Sequence, residues 1–113
     1  MFLDAEFEQA DAATIVVKLN GRMTLGMRLR EIESKMNHAV DGGVRRLVID
    51  LRGIDYADSA GLGLIMLLYG KMKTVQGSLR IAAPSPTLLQ LFELTNTNQI
   101  LAIYPDIAAA LAE

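Results

Sequence analysis

The stretch Asp58-Ser59-Ala60-Gly61-Leu62-Gly63-Leu64 sets an acid, a hydroxyl and two glycines between a run that reads as a buried strand and a run that reads as a buried helix. Such residues at such a junction can cap a helix, attack an electrophile, cradle an anion or accept a phosphoryl group. Capping is the plainest of these. Aspartate and serine are favoured N-caps because a side-chain oxygen takes up an orphan amide of the first turn, and Gly61 and Gly63 would let the helix pack closely on a sheet. A glycine inside a helix nevertheless costs roughly 0.5–1 kcal/mol against alanine. Two of them exceed what a cap requires.

Nucleophilic catalysis is poorly served. Ala57-Asp58-Ser59-Ala60-Gly61 echoes the hydrolase elbow, with alanine in place of its first glycine, but that chemistry needs an acid and then a histidine later in the chain. The one histidine, His38, comes earlier, near the end of a helical stretch. No catalytic residue is assigned, and the chain reads as a non-enzyme. As a phosphate cradle, Gly61-Leu62-Gly63 lacks the third glycine of a dinucleotide fingerprint and the lysine of a P-loop. A helix N-terminus still favours anions, which suits one covalent phosphate better than a nucleotide cofactor. The chain has no cysteine, which excludes disulfides, thiol catalysis and cysteine-ligated metal; neither cofactor nor metal is predicted.

The elements around this motif alternate. Leu3-Asp4-Ala5-Glu6-Phe7-Glu8 alternates apolar and charged residues, a half-buried strand, and Thr14-Ile15-Val16-Val17-Lys18-Leu19 pairs with it as a hairpin. After Gly21 the period changes: Leu25, Leu29, Ile32, Met36 and Val40 form one helix stripe, with Thr24 as its expected N-cap and Asp41-Gly42-Gly43 as its stop. Val44–Leu51 has the continuous apolar centre of a strand covered on both faces; residues 52–57 read as a loop, and 62–72 as a largely interior helix. Ser78–Ala83 is a strand, Ser85-Pro86 caps and opens a helix carrying Leu88, Leu89, Leu91, Phe92 and Leu94, of which Leu91, Phe92 and Leu94 are expected in the core, Ile100–Ile103 is a last strand, and Asp106 caps a terminal alanine-rich helix.

The order β-β-α-β-α-β-α-β-α predicts an α/β domain with a mixed, mostly parallel sheet flanked by four helices and an antiparallel first strand at one edge. In such sheets the strand-to-helix loops share the carboxyl edge, where sites usually form. Residues 20–24, 54–59 and 83–85 are therefore expected on one rim. Met36, Met66 and Met72 are expected in the core, whereas Met23 and Met27 suit either the core or a soft interface.

Composition bounds the rest. The 113 residues, 51% hydrophobic and 21% charged with net charge −2, make one domain spanning 1–113 that buries enough surface to need no staple. Basic residues are scattered along the chain, which argues against a nucleic-acid partner. Leu62–Tyr69 is too short to cross a bilayer, and the acidic N-terminus is unlike a signal peptide; a cytoplasmic protein without membrane insertion is expected.

The heptapeptide, with Gly21 after the second strand and Pro84-Ser85-Pro86 opening the third helix, resembles the STAS domain, and within that family the bacterial anti-sigma factor antagonists. The resemblance covers about residues 13–111 in the same order of elements. It implies a regulatory switch: Ser59 is phosphorylated by a partner that is both anti-sigma factor and serine kinase, the unphosphorylated form binds that partner and frees a sigma factor, and a serine phosphatase resets Ser59. Many antagonists carry aspartate where this chain has Thr24. The partner-binding rim implied here comprises Gly21, Arg22, Met23, Thr24, Asp55, Asp58, Ser59, Ala60, Gly61, Leu62, Gly63 and Ser85. Arg22 could contact an acidic partner, but an isolated loop arginine is usually just solvated. Two other readings remain: a phosphorylation-independent STAS scaffold in a signalling or lipid-transport assembly, and a small-ligand or nucleotide-binding STAS domain.

Overall fold

The computed structural model describes residues 2–112; residues 1 and 113, the ends of the expected domain, lie outside them. Strands β1 (Asp4–Asp11) and β2 (Thr14–Met23) form a hairpin, followed by α1 (Met27–Asp41), β3 (Arg46–Ala57), α2 (Ser59–Thr74), β4 (Ser78–Ala82), α3 (Pro86–Leu94), a 3₁₀ turn (Thr97–Gln99), β5 (Ala102–Tyr104) and α4 (Ile107–Leu111). The sheet order is β1-β2-β3-β4-β5, with β1 antiparallel to β2 and every other pairing parallel. The alternation seen in the sequence thus yields the expected mixed sheet with β1 at its edge.

The two faces of the sheet are covered unequally. Val17, Leu19, Leu47, Ile49 and Leu51 point into the main core with residues of α1, α2 and α3, while Val16, Val48 and Ala82 meet Ala110 of α4 in a smaller cluster. That double cover explains the unbroken apolar centre of β3. Ser85 caps α3, its Oγ accepting from the Leu88 amide at 3.3 Å, and Asp106 caps α4, its Oδ1 accepting from the Ala109 amide at 2.8 Å.

Several local expectations fail. Residues 52–57 are strand and not loop: β3 runs on to Ala57 beside a prolonged β2, with register shifts between Lys18 and Asn20 and between Gly21 and Arg22. These irregularities absorb a residue, so Leu51 and Ile54, three apart, both reach the core and the period-2 signal is lost. Thr24 does not cap α1; Gly26 occupies that position without a side-chain bond, and Leu25 lies outside the buried stripe with 69% of its surface exposed. The α2 helix is buried on one face only, through Leu64, Ile65, Leu68 and Met72, while Leu67 is 66% exposed. Leu94 is 75% exposed instead of core, and the last strand starts at Ala102 because the 3₁₀ turn leaves Ile100 outside it.

Candidate functional site

The prolonged β2–β3 ribbon delivers Met23 and Ala57 side by side at the carboxyl edge, and both are buried against the main core. The Asp58 amide donates to the Met23 carbonyl at 3.1 Å, turning the chain from β3 into α2. Asp58, extended at φ −92°, is the N-cap of α2. Its Oδ1 accepts from the Ala60 amide at 2.9 Å and the Gly61 amide at 3.0 Å, and its Oδ2 accepts from the Leu25 amide at 3.1 Å. One carboxylate therefore satisfies the helix start and also ties down the loop between β2 and α1. The Leu25 amide bond, then those from Gly61 and Ala60, hold the Asp58 carboxyl below the ordinary carboxylate range against the opposing effect of burial.

Ser59 is the first residue of α2 and is exposed. Its hydroxyl engages no other described residue. With the cap role taken by Asp58, this hydroxyl has no structural duty. It stands at the head of a helix, open to a second macromolecule.

The glycines that follow differ from each other. At Gly61 an added Cβ would fall on the Met23 carbonyl oxygen and within 2.7 Å of the Met23 Cβ, so only glycine lets α2 approach β2 this closely. At Gly63 no atom lies within 4 Å of such a Cβ; the expected close approach is absent there, and bare backbone faces solvent instead. Gly21, at φ +107°, lies under the backbone of Phe2, where a Cβ would meet the Phe2 carbonyl oxygen.

The remaining rim residues divide by burial. Met23, Gly21 and Gly61 are buried and support the rim from below. Met23 in particular is core. Arg22 and Asp55 are exposed, and the Arg22 guanidinium sits 4.4 Å over the Tyr56 ring. Ala60, Leu62 and Gly63 are half-buried at the head of α2, and Thr24 is half-buried in the loop that Asp58 holds. Ser85 is set back: β4 ends with Ala82 opposite Asp50, while β3 continues to Ala57, and the Ser85 hydroxyl is engaged in capping α3.

Some of the surface was hidden in the sequence. Leu25 reads as a member of a helix stripe, yet it is 69% exposed on the loop tethered by Asp58; Met27, which suits either the core or an interface, is 77% exposed at the start of α1. Beside Ala57, the residues Tyr56, Leu88, Leu91 and Leu94 line an apolar recess of about 210 Å³. An exposed hydroxyl at the head of α2, with exposed apolar side chains on neighbouring elements, has the make-up of a protein-docking surface.

Catalysis gains no support from the geometry. His38 is exposed in the last turn of α1, and α1, of 15 residues, extends about 22 Å away from the loop that Asp58 holds. No cluster of His, Asp or Glu among the described residues has the arrangement of a metal site, and no described helix is long and apolar enough to cross a membrane.

Comparison with known proteins gives a consistent set of likenesses. The family model described as "Mlab, STAS domain" matches residues 6–103. The chain is 35% identical over 75 residues to the "Putative anti-sigma factor antagonist BtrV" of Bordetella bronchiseptica, covering 66% of this chain and 62% of that protein. It is 26% identical over 91 residues to the anti-sigma F factor antagonist of Lysinibacillus sphaericus, covering 80% of this chain and 77% of the other. Among solved structures, the anti-sigma factor antagonist SpoIIAA in its unphosphorylated form superposes with a TM-score of 0.80 at 22% identity, over 94% of this chain and 92% of that one. The phosphorylated form of the Bacillus cell fate determinant SpoIIAA gives 0.77 at 21%, over 94% and 96%. These structures share the fold.

Proposed function

The chain belongs to the STAS domain family, and we propose that within it the protein is an anti-sigma factor antagonist: a regulatory binding module, switched by phosphorylation of Ser59. The observation that carries this reading is the exposed Ser59 hydroxyl, relieved of capping by Asp58 at the head of α2. In the unphosphorylated state the rim of Leu25, Met27, Ser59, Leu62 and Gly63 receives an anti-sigma factor with serine kinase activity, releasing the sigma factor it held. Phosphorylation by the same partner ends the complex, and a serine phosphatase restores it.

The electrostatics of the step follow from the cap. A phosphoryl group adds about −1.5 to −2 charge at neutral pH, comparable to the net −2 of the whole chain. The amides that would stabilise it at the helix start already bond the Asp58 carboxylate, and Asp55 is exposed nearby in sequence on β3. The new charge is therefore left facing the partner, which meets bulk, like-charge repulsion and a desolvation cost. The fold itself is untouched, because Ser59 has no internal contact to lose.

The test is incubation with a candidate serine kinase and ATP, followed by intact-mass measurement and peptide mapping. One added phosphate on Ser59, absent in Ser59→Ala, is expected. Partner affinity should stay near wild type in Ser59→Ala and fall roughly 30-fold or more in Ser59→Asp. A Ser59→Asp variant that binds as tightly as wild type sinks the switch. Stable co-purification with other subunits and no phosphate would favour the scaffold role.

A further inference from the structure

The opposite edge of the sheet holds a second polar feature, built from residues far apart in the sequence. Arg45 just before β3, Arg46 at its start and Arg80 in β4 line one cleft of about 390 Å³, together with Gln76, Ser78 and Asp11. We propose that this cleft binds a compact polyanion, of the phosphate or polycarboxylate class. The proposal concerns the amino edge of the parallel strands and does not depend on the Ser59 switch.

Charge is the first argument. Arg45 and Arg46, which carry the proposal, come together with Arg80 around Asp11 in a chain whose overall charge is −2, so the cleft gathers basic residues that the sequence scatters. Asp11 is turned toward its own hairpin, its Oδ1 accepting from the Ala13 amide at 2.9 Å. Its carboxyl is lowered first by that bond and the Thr14 hydroxyl, and only last by Arg46. Among the described residues no ion pair joins Asp11 to Arg45 or Arg46.

Preorganisation is the second. Arg45 Nη1 donates to the Val40 and Val44 carbonyls at 3.1 and 2.9 Å, and Arg46 Nη1 donates to the Leu111 carbonyl at 3.1 Å. Each guanidinium is thus fixed through one nitrogen, while the Nε and Nη2 groups of Arg45 and Arg46 make no further hydrogen bond among the described residues. A planar fork held at one tooth and open at the others suits phosphate and carboxylate oxygens. Capping α1 and α4 explains the bonded nitrogens and leaves the others without a task.

The walls are rigid as well. The Ala13 carbonyl accepts from both the Arg45 and Arg46 amides at 2.8 and 2.9 Å, and the Ser78 amide donates to the Arg45 carbonyl at 2.8 Å. Gly77 is required beneath them, since a Cβ there would fall on the Arg45 carbonyl oxygen. These amides are spent, so side chains supply the donors. The volume lies in the range of small-molecule sites, roughly 300–1,000 Å³.

The test is an amide-resolved NMR and calorimetric titration of the full chain at low ionic strength, with sodium pyrophosphate and, separately, sodium citrate; sodium chloride of equal ionic strength is the control. Saturable binding with shifts at 11–14, 45–46 and 76–80 is expected. Arg45→Gln and Arg46→Gln should each weaken it by about tenfold, and Asp11→Asn, which keeps the Oδ1 acceptor, should tighten it a few-fold. If Arg46→Gln fails to fold because α4 loses its tether, Arg45→Gln and Asp11→Asn decide. Tighter pyrophosphate binding assigns the phosphate class, and tighter citrate binding the carboxylate class. Shifts matched by chloride, shifts at 58–63 instead, or affinities unmoved by Arg45→Gln and Asp11→Asn overturn the proposal.

Discussion

Adding one methyl group at Gly61 and, separately, at Gly63 should move the domain in opposite directions, although the two positions are neighbours in the first turns of α2. At Gly61 the new Cβ would fall on the Met23 carbonyl oxygen and lie 2.7 Å from the Met23 Cβ. Both are anchored in the core strand β2 and cannot swing aside like a side-chain end. The helix must lift, which strains the Asp58-to-Met23 bond of 3.1 Å. Overpacking of this kind costs about 1–3 kcal/mol, partly offset by a gain of up to about 1 kcal/mol from replacing a helical glycine. At Gly63 nothing lies within 4 Å of the new atom, so the same helical gain of about 0.5–1 kcal/mol arrives unopposed. In a domain this small 1 kcal/mol corresponds to about 4 °C in Tm. Gly61→Ala should therefore melt up to about 10 °C lower and Gly63→Ala about 2–4 °C higher by differential scanning calorimetry at neutral pH. Partner affinity supplies the second readout: Gly63→Ala, though more stable, should bind more weakly, because its methyl stands where a partner would meet bare backbone. A Gly61→Ala variant as stable as wild type would refute the close-approach argument. A Gly63→Ala variant that loses stability would refute the claim of open space.

The Asp58 clamp makes a further prediction. Asparagine keeps one acceptor and turns the other into a donor, so Asp58→Asn can serve the α2 amides or Leu25 but not both; hydrogen exchange at the Leu25 amide should quicken while α2 persists, whereas Asp58→Ala should cost about 0.5–2 kcal/mol as a lost cap. Because the Asp58 carboxyl is depressed in the folded state, its contribution is present above the unfolded value and is lost as pH falls below roughly 4. Asp11 is lowered too, so acid titration of wild type against Asp58→Asn isolates the clamp, and identical acid curves would contradict it. At the rim, Leu25→Ser and Met27→Ser should leave stability within about 0.5 kcal/mol yet weaken the anti-sigma partner at least tenfold if these exposed side chains anchor it. Surface plasmon resonance with both variants checks this, and unchanged affinity removes them from the interface.

Much of this arrangement could be read from residue order, and the failures share a cause. Alternation of strand and helix patterns was enough for the sheet and its antiparallel edge, since each pattern is local. The Ser85 and Asp106 caps were legible for the same reason: cap and amide lie within three residues. What escaped depended on contacts across the chain. The bulges that carry β3 to Ala57 shift side-chain parity, which no single-strand pattern reveals. Leu25 matched the helix spacing by coincidence; its amide belongs to Asp58, 33 residues away. Gly61 and Gly63 look equivalent in sequence, and only the path of β2 beneath the helix tells them apart. The arginine cleft was invisible because Arg45 and Arg80 are separated by strand β3, helix α2 and the start of β4.

The division of labour at the rim explains how the proposed switch would sit on a stable fold. Met23, Ile54 and Ala57 are buried and fix the height at which α2 begins, so the position of Ser59 is set by the core. Asp58 then takes every structural bond that an N-terminal side chain is needed for. Had Ser59 been the cap, phosphorylation would have removed a bond worth about 1 kcal/mol and loosened the helix, mixing a change in folding with a change in binding. With Asp58 as the cap, the free energy of the proposed modification would be expressed at the contact surface, where a like-charge clash of several kcal/mol would change affinity by about a hundredfold or more. The acid beside the serine is thus what allows the serine to be altered without cost to the domain that presents it.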